Sequence, residues 1–390
     1  MRDKLQKIGL VFAGIFLALI ICEFLLAVPI YYFVRGTGDT FYSRQHMGWY
    51  FFEDPLVGFL SAPNLKKYKK NPLHTFPNAY EKPYYFETDS YGFRNLNELN
   101  DNKSSDEIRI FCLGGSTTVG AESPYEFTYP QLLEGLVNDQ KINIINAGVG
   151  GYRSIHLLKF YQKVIRNFEP DIITIYSGWN DYEDSMFSYW QPKNPHAHVF
   201  VTQMRLTQIP FSQFALVWGA GKLYYHFKNF NRVGDSRGAN WKEKYISGAN
   251  DLSWQNEYRE NIQELILSAK SDGVIPIIIL FPAPYFKDAP PEAKLWANEF
   301  LDMARRWDGF LIFMDNIRKI QMDLAQKNQV PLIDVKPRFD LYDNDYKKKF
   351  KYFVDRMHLH PEGNRLIAEV MLDPIKKVIQ KMKPASIKSS

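Results

Sequence analysis

A serine hydroxyl is a weak nucleophile until a base takes its proton, and that base needs an orienting acceptor on its other ring nitrogen. Three residues of this 390-residue chain have the types for that work: Ser116, His358 and Asp355. Ser116 stands in Gly114-Gly115-Ser116-Thr117-Thr118, where two glycines let the backbone turn sharply and nearby amides face the same space as the hydroxyl. Asp355 and His358 lie three residues apart just before Pro361, so one loop can carry both, with Asp355 holding the imidazole and His358 facing Ser116. An oxyanion formed by such an attack needs fixed donors. Asn180 offers a side-chain amide, Gly151 a backbone N–H that no Cβ crowds, and Ser116 its own N–H. Each piece alone has an ordinary explanation. Gly-Gly-Ser-Thr is turn chemistry, Asn180-Asp181 suits a helix cap, Gly151 suits a tight turn, and Asp-x-x-His arises by chance on surfaces.

Rival motifs fail residue by residue. Gly115 to Gly120 has the glycine spacing of a phosphate-binding loop, but Ala121-Glu122 stands where Lys-Ser/Thr is required. Gly148-Val149-Gly150-Gly151-Tyr152-Arg153 begins like a dinucleotide fingerprint and then places Arg153 where a small residue must pack helix on strand. His196 and His198 have no cluster of Cys, Asp or Glu at ligand spacing beside them, which favours a loop over a metal pair. His360 is two residues past His358; the Asp355 spacing favours His358 as the base and leaves His360 as a wall or supporting residue.

Positioning these residues requires a scaffold, and from Ile108 onward the chain alternates short apolar runs with amphipathic stretches. That pattern predicts an α/β fold with a central parallel sheet covered by helices. Strands are expected at 109–113, 142–146, 172–177, 274–281 and 330–334, and helices at 125–137, 154–167, 254–272, 291–328 (broken) and 361–377. In such sheets sites form beyond the carboxyl ends of strands. Ser116 follows the first strand, Asn146 to Gly151 the second, Gly178-Trp179-Asn180-Asp181 the third, and Asp355 to His358 comes after the last.

Taken as an ordered set, these blocks resemble the SGNH hydrolases, also called GDSL-like esterases and lipases, over residues 108–378. Gly114 to Thr118 matches the nucleophile block, Asn146 to Gly151 the glycine block, Gly178 to Asp181 the Gly-x-Asn-Asp block, and Asp355 to His358 the Asp-x-x-His block. The resemblance implies a three-layer α/β/α, flavodoxin-like fold, with Ser116 as nucleophile, His358 as base, Asp355 as its orienter, and Gly151 and Asn180 in the oxyanion hole. It implies no metal and no cofactor. Gly115-Ser116-Thr117-Thr118 departs from the family's Gly-Asp-Ser-Leu, a difference that bears on subfamily, and Gly150 adjoins the same turn as Gly151. An α/β-hydrolase fits less well, since Thr118 stands where that fold wants glycine. The chemistry expected is serine ester hydrolysis, on acyl groups of envelope or extracellular glycans or on lipid esters. Acyl transfer to a sugar hydroxyl and a noncatalytic scaffold are the alternatives.

The remaining sequence bounds the setting. Hydrophobic residues make up 45% and charged residues 23%, with a net charge of +5, which suits one large domain and excludes a basic nucleic-acid module. Two cysteines, Cys22 and Cys112, imply no disulfide framework. Residues 9–34 form an apolar run long enough to cross about 30 Å of hydrocarbon as a helix. The basic residues among 1–8 favour a cytoplasmic amino terminus, hence a single-pass anchor with the catalytic domain outside. No Ala-x-Ala site follows the run, Ile21 spoils a lipobox at Cys22, and Glu23 within it costs about 2.5 to 3.5 kcal/mol, which the flanking Leu, Ile and Phe offset. Residues 35–107 are an aromatic extension wrapping the main domain, with a hairpin or docking turn at 86–94 and an exposed linker at 97–107. Residues 182–253 are an aromatic insertion after Asn180, suited to a lid, a sugar-stacking wall, a membrane-facing surface or plain packing. Residues 379–390 are a basic tail.

Overall fold

The computed structural model describes residues 11, 14–22, 25, 50–69, 80, 82–95, 98–186, 190–198, 201, 241–295 and 307–382. Four short strands come first: β1 (Phe51–Asp54) pairs antiparallel with β2 (Gly58–Ser61), and β3 (Lys66–Lys69) with β4 (Tyr84–Glu87). The main sheet follows, made of β5 (Ile108–Gly114), β6 (Ile142–Gly148), β7 (Ile172–Tyr176), β8 (Ile275–Leu280) and β9 (Leu332–Asp334). Its order is β6-β5-β7-β8-β9, and every neighbouring pair is parallel. A parallel sheet is covered on both faces, so its strands must be nearly all apolar. β7, Ile-Ile-Thr-Ile-Tyr, is buried at every position. The five strands lie within two residues of those expected from the apolar runs.

Ten of the helices among the described residues build the domain around this sheet: α1 (Ser116–Val119), α2 (Tyr129–Val137), α3 (Ser154–Lys163), α4 (Trp179–Ser185), α5 (Trp241–Asn250), α6 (Leu252–Ser271), α7 (Trp307–Asn328), α8 (Lys336–Asp340), α9 (Tyr346–Lys351) and α10 (Pro361–Met382). α2 packs on α10, while α3, α6, α7 and α5 form a second contacting set, so the sheet carries two helical layers. Renumbered within the sheet, the strand order is 2-1-3-4-5, the doubly wound order of flavodoxin-like folds. The order reverses at β5 and β7, and this switch point is where a ligand crevice opens.

Several expectations are corrected. Ser116 does not sit in a bare turn ahead of a helix at Tyr125; it is the first residue of α1, and α2 starts at Tyr129 after a 3-10 turn over Tyr125–Phe127. The stretch 97–107 is not simply an exposed linker. Leu99 is buried, Lys103 pairs with Asp171 at 2.6 Å, and the fully buried Arg109 donates to the Asn100 carbonyl at 2.7 Å. The 182–253 stretch is core at its described ends: Tyr182 is fully buried and stacks on Phe313 at 4.6 Å, and α5 packs on α7. Residues 187–189, 199–200 and 202–240, with most of its aromatics, lie outside the described residues. So does most of the expected anchor; residues 14–22 are helical, and among the described residues no helix is long and apolar enough to cross a membrane.

The extension belongs to the main core. Val57, Phe59 and Phe93 are buried in it, and Phe93 meets Phe111 at 5.6 Å and Phe168 at 5.3 Å, both edge to face.

Candidate active site

β5 runs out at Gly114, where a Cβ would meet the Tyr176 carbonyl oxygen at 2.7 Å, and the chain folds at once into α1. A Cβ on Gly148, at the end of neighbouring β6, would meet the Val119 nitrogen at 2.2 Å, so α1 lies directly on the strand ends. Arg94 from the extension holds the far end of α1. Its guanidinium is wholly buried and donates to the carbonyls of Val119 (2.5 Å), Gly120 and Ser123 (2.6 Å). Burial works against its charge and lowers its pKa to about 10. The Val119 carbonyl, at the end of α1 and without a partner inside that helix, thus finds one.

Ser116 Oγ lies 2.7 Å from His358 Nε2, and His358 Nδ1 lies 2.6 Å from Asp355 Oδ2. Asp355 is fixed in turn by its own loop, its Oδ1 accepting the N–H groups of Met357 at 2.8 Å and His358 at 2.7 Å. Since a carboxylate only accepts, Nδ1 carries the proton, and the neutral ring presents the Nε2 lone pair to the Ser116 hydroxyl. Burial opposes the charge on Asp355, but the His358 imidazole and the Arg356 guanidinium outweigh it and hold the carboxyl well below its usual range. For His358 burial also opposes charge, yet Asp355 and Glu122 push the ring up to about 9.

Gly151 and Asn180 face the same cleft as Ser116 and His358. Gly151 has φ +83, a left-handed conformation that glycine adopts freely. Asn180 stands in the first turn of α4, and its Nδ2 donates to the Tyr152 carbonyl at 2.9 Å. One N–H of that amide is thereby used and the amide plane fixed, leaving the second N–H for the cleft. A Cβ on Gly115 would come within 2.9 Å of Asn180 Nδ2, so the amide lies against the serine's own turn. Asp181 is turned inward and accepts Ser154 N–H and Oγ–H at 3.0 and 2.5 Å, tying α4 to the start of α3 beside Gly151. Burial raises its pKa to about 7. All five sequence-assigned site residues therefore meet at the carboxyl edge of β5, β6 and β7.

Residues beyond the five assigned ones complete the cleft, which encloses about 360 Å3. Tyr50, Phe51 and Phe86 of the extension wall one side, and Lys69 lies over the Tyr50 ring at 5.0 Å. The Phe51 ring approaches the Gly150 position to 3.5 Å. Glu183 and Arg356 pair across the other side, and Glu122 sits 3.8 Å from His358 Nε2. Only the aromatic richness of residues 35–107 hinted at this wall; the charged residues carried no signal. His360 is absent from the lining, which removes the wall reading and leaves that of a supporting residue, and its Nδ1 accepts the Glu362 N–H at 3.4 Å. His198 is buried against Phe59, with Nε2 3.4 Å from Asp184, and no cluster suited to a metal occurs among the described residues.

No protein-family model and no curated protein sequence matches the chain. Solved structures do. An acetyl xylan esterase, AlAXEase, is 18% identical, with 69% of this chain and all of that one covered at a TM-score of 0.41. A catalytic mutant of Axe2, an acetylxylan esterase from Geobacillus stearothermophilus, is 16% identical over 70% of this chain and 96% of its own, with a TM-score of 0.41. A GDSL-like lipase from Bacteroides thetaiotaomicron is 14% identical over 72% and 93%, with a TM-score of 0.38. Likenesses of this degree decide nothing about chemistry, which rests on the cleft itself.

Proposed function

We propose that the protein is a serine ester hydrolase of SGNH type that works through an acyl-enzyme. The observation that carries this reading is the unbroken chain from Ser116 Oγ to His358 at 2.7 Å and on to Asp355 at 2.6 Å, opening into a cleft. Ser116 Oγ attacks the ester carbonyl as His358 Nε2 takes its proton, and the C=O electron pair moves onto oxygen. The Ser116 and Gly151 N–H groups and the Asn180 amide meet that oxyanion. Collapse breaks the C–O bond, and the alcohol leaves with the proton from His358. Water then gives a proton to His358 as it attacks the acyl carbonyl, the bond from that carbon to Ser116 Oγ breaks, and His358 returns the proton to Oγ as the acid leaves. Asp355 stays ionised throughout and stabilises the imidazolium in each half-reaction.

The acyl group of a glycan, acetyl in the simplest case, is the proposed substrate, since aromatic rings beside fixed charges suit a sugar ring. The apolar run 9–34, with its basic flank, supports a single-pass anchor holding this domain outside the cytoplasmic membrane.

The test uses the full chain with p-nitrophenyl acetate and a fluorophosphonate probe, beside Ser116→Ala. Turnover and labelling are expected in the wild type and absent in the variant. A folded wild type that neither turns over nor labels would overturn the proposal. Acetate release that depends on an added acceptor glycan would redirect it to acyl transfer.

A further inference from the structure

Resting on that reading, we infer that Glu122 is a positioning residue for the catalytic base: a second carboxylate that faces His358 on its Nε2 side and sets the pH range in which Ser116 is activated. Glu122 belongs to none of the four motif blocks. It lies three residues beyond the end of α1, lines the cleft, and places Oε1 3.8 Å from Nε2, the nitrogen that must pass the proton between Ser116 and the leaving group. Its side chain and that of His358 are 16% and 17% exposed, so solvent screens their attraction only in part.

The neighbours of the imidazole divide by side. Asp355 meets Nδ1 at 2.6 Å, and Arg356 from the same loop opposes a positive ring. Arg356 is itself engaged by Glu183 of α4 at 2.7 and 2.8 Å, which dilutes its repulsion. From the α1 side come Ser116 Oγ and the Glu122 carboxylate. The charged groups beyond Glu122 are Lys69 in the same cleft and the buried Arg94, with the Tyr84 hydroxyl anchored nearby on the Ala121 carbonyl at 2.6 Å. Glu122 is thus the carboxylate on the reacting side of the ring. It favours imidazolium there, which holds the resting base protonated to higher pH and stabilises the ion pair formed when Ser116 attacks.

The experiment measures the rate of Ser116 labelling by a fluorophosphonate across pH 5 to 10, which requires no knowledge of the natural ester. In Glu122→Gln the midpoint is expected to move about one pH unit downward, with labelling about tenfold faster than wild type well below the wild-type midpoint and slower on the alkaline plateau. Glu122→Asp, which keeps the charge but draws it back by one methylene, is expected to fall between the two. A Gln variant that melts with the wild type and keeps its midpoint overturns the inference, as does a lowered plateau with no change in midpoint, the mark of a merely structural role. If the wild type labels at no pH, the esterase reading fails first, and that outcome is distinct from an unmoved midpoint.

Discussion

Arg356 and Glu183 face each other in a two-pronged pair, Nε to Oε1 at 2.7 Å and Nη2 to Oε2 at 2.8 Å. One end sits between Asp355 and His358; the other sits in α4, three residues after Asn180. The pair therefore ties the loop carrying base and orienter to the helix carrying an oxyanion donor. Two functions on elements far apart in sequence share one clamp.

Arg356→Lys should loosen that clamp, because an ammonium cannot reproduce the planar fork. With both side chains mostly buried, the loss is expected at about 1 to 3 kcal/mol of stability, together with a kcat reduced by about tenfold or more. Thermal melting and p-nitrophenyl acetate kinetics on the same preparations would check it. An unchanged kcat would show that the loop holds its place without the pair.

The base sets the pH dependence. With His358 pushed up to about 9, kcat/KM for a neutral ester should climb between pH 7 and 9 and level off above. The stability effect has the opposite slope. The folded pKa lies above the ordinary value of 6.5, so the His358 contribution is fully present below 6.5 and is lost as pH rises through about 9. Asp355 is depressed, so its contribution is present above 3.8 and is lost as pH falls below that value. Melting temperatures from pH 3 to 10 should fall at both ends, and His358→Gln should flatten the alkaline fall.

Asn180→Ala removes a donor aimed at charge that exists only in the transition state. A kcat reduced by about 10²- to 10³-fold with little change in KM is expected. Equal losses in binding and turnover would point to a ground-state contact instead.

Arg94→Met tests how far the extension supports the nucleophile. Three carbonyls around the end of α1 would lose a buried donor, for an expected cost of about 3 kcal/mol. Fluorophosphonate labelling of Ser116 should slow along with the drop in melting temperature. Labelling at the wild-type rate would show that α1 stays in place without its anchor.

The sheet and the convergence of the four motif loops on one cleft were legible because each has a strong local signature. Apolar runs such as Ile-Ile-Thr-Ile-Tyr at 172–176 mark buried parallel strands, glycines at 114 and 148 mark places where backbone must pass close by, and Gly151 marks a left-handed turn. The hairpins of the extension left little trace. Their strands are four residues long, and β3, Lys-Lys-Tyr-Lys, is only half-buried, so its pairing with β4 depends on partners distant in sequence. Glu122, Glu183 and Arg356 were illegible for a related reason. A single charged residue looks like solvated surface until the fold brings its partner alongside. Tyr182, which the sequence left open between lid, wall and plain packing, is core because Phe313, which stacks on it, arrives only with α7.

The separation between Ser116 and His358 bears on the life of the chain. The two groups are 242 residues apart, and His358 follows every other assigned site residue in the chain. While the polypeptide is being made, the serine, the oxyanion turn and the aromatic wall all precede the group that activates them. A fragment ending anywhere before residue 358 carries an inert hydroxyl. On the proposed mechanism, synthesis itself keeps the serine silent until the loop ahead of α10 has been made.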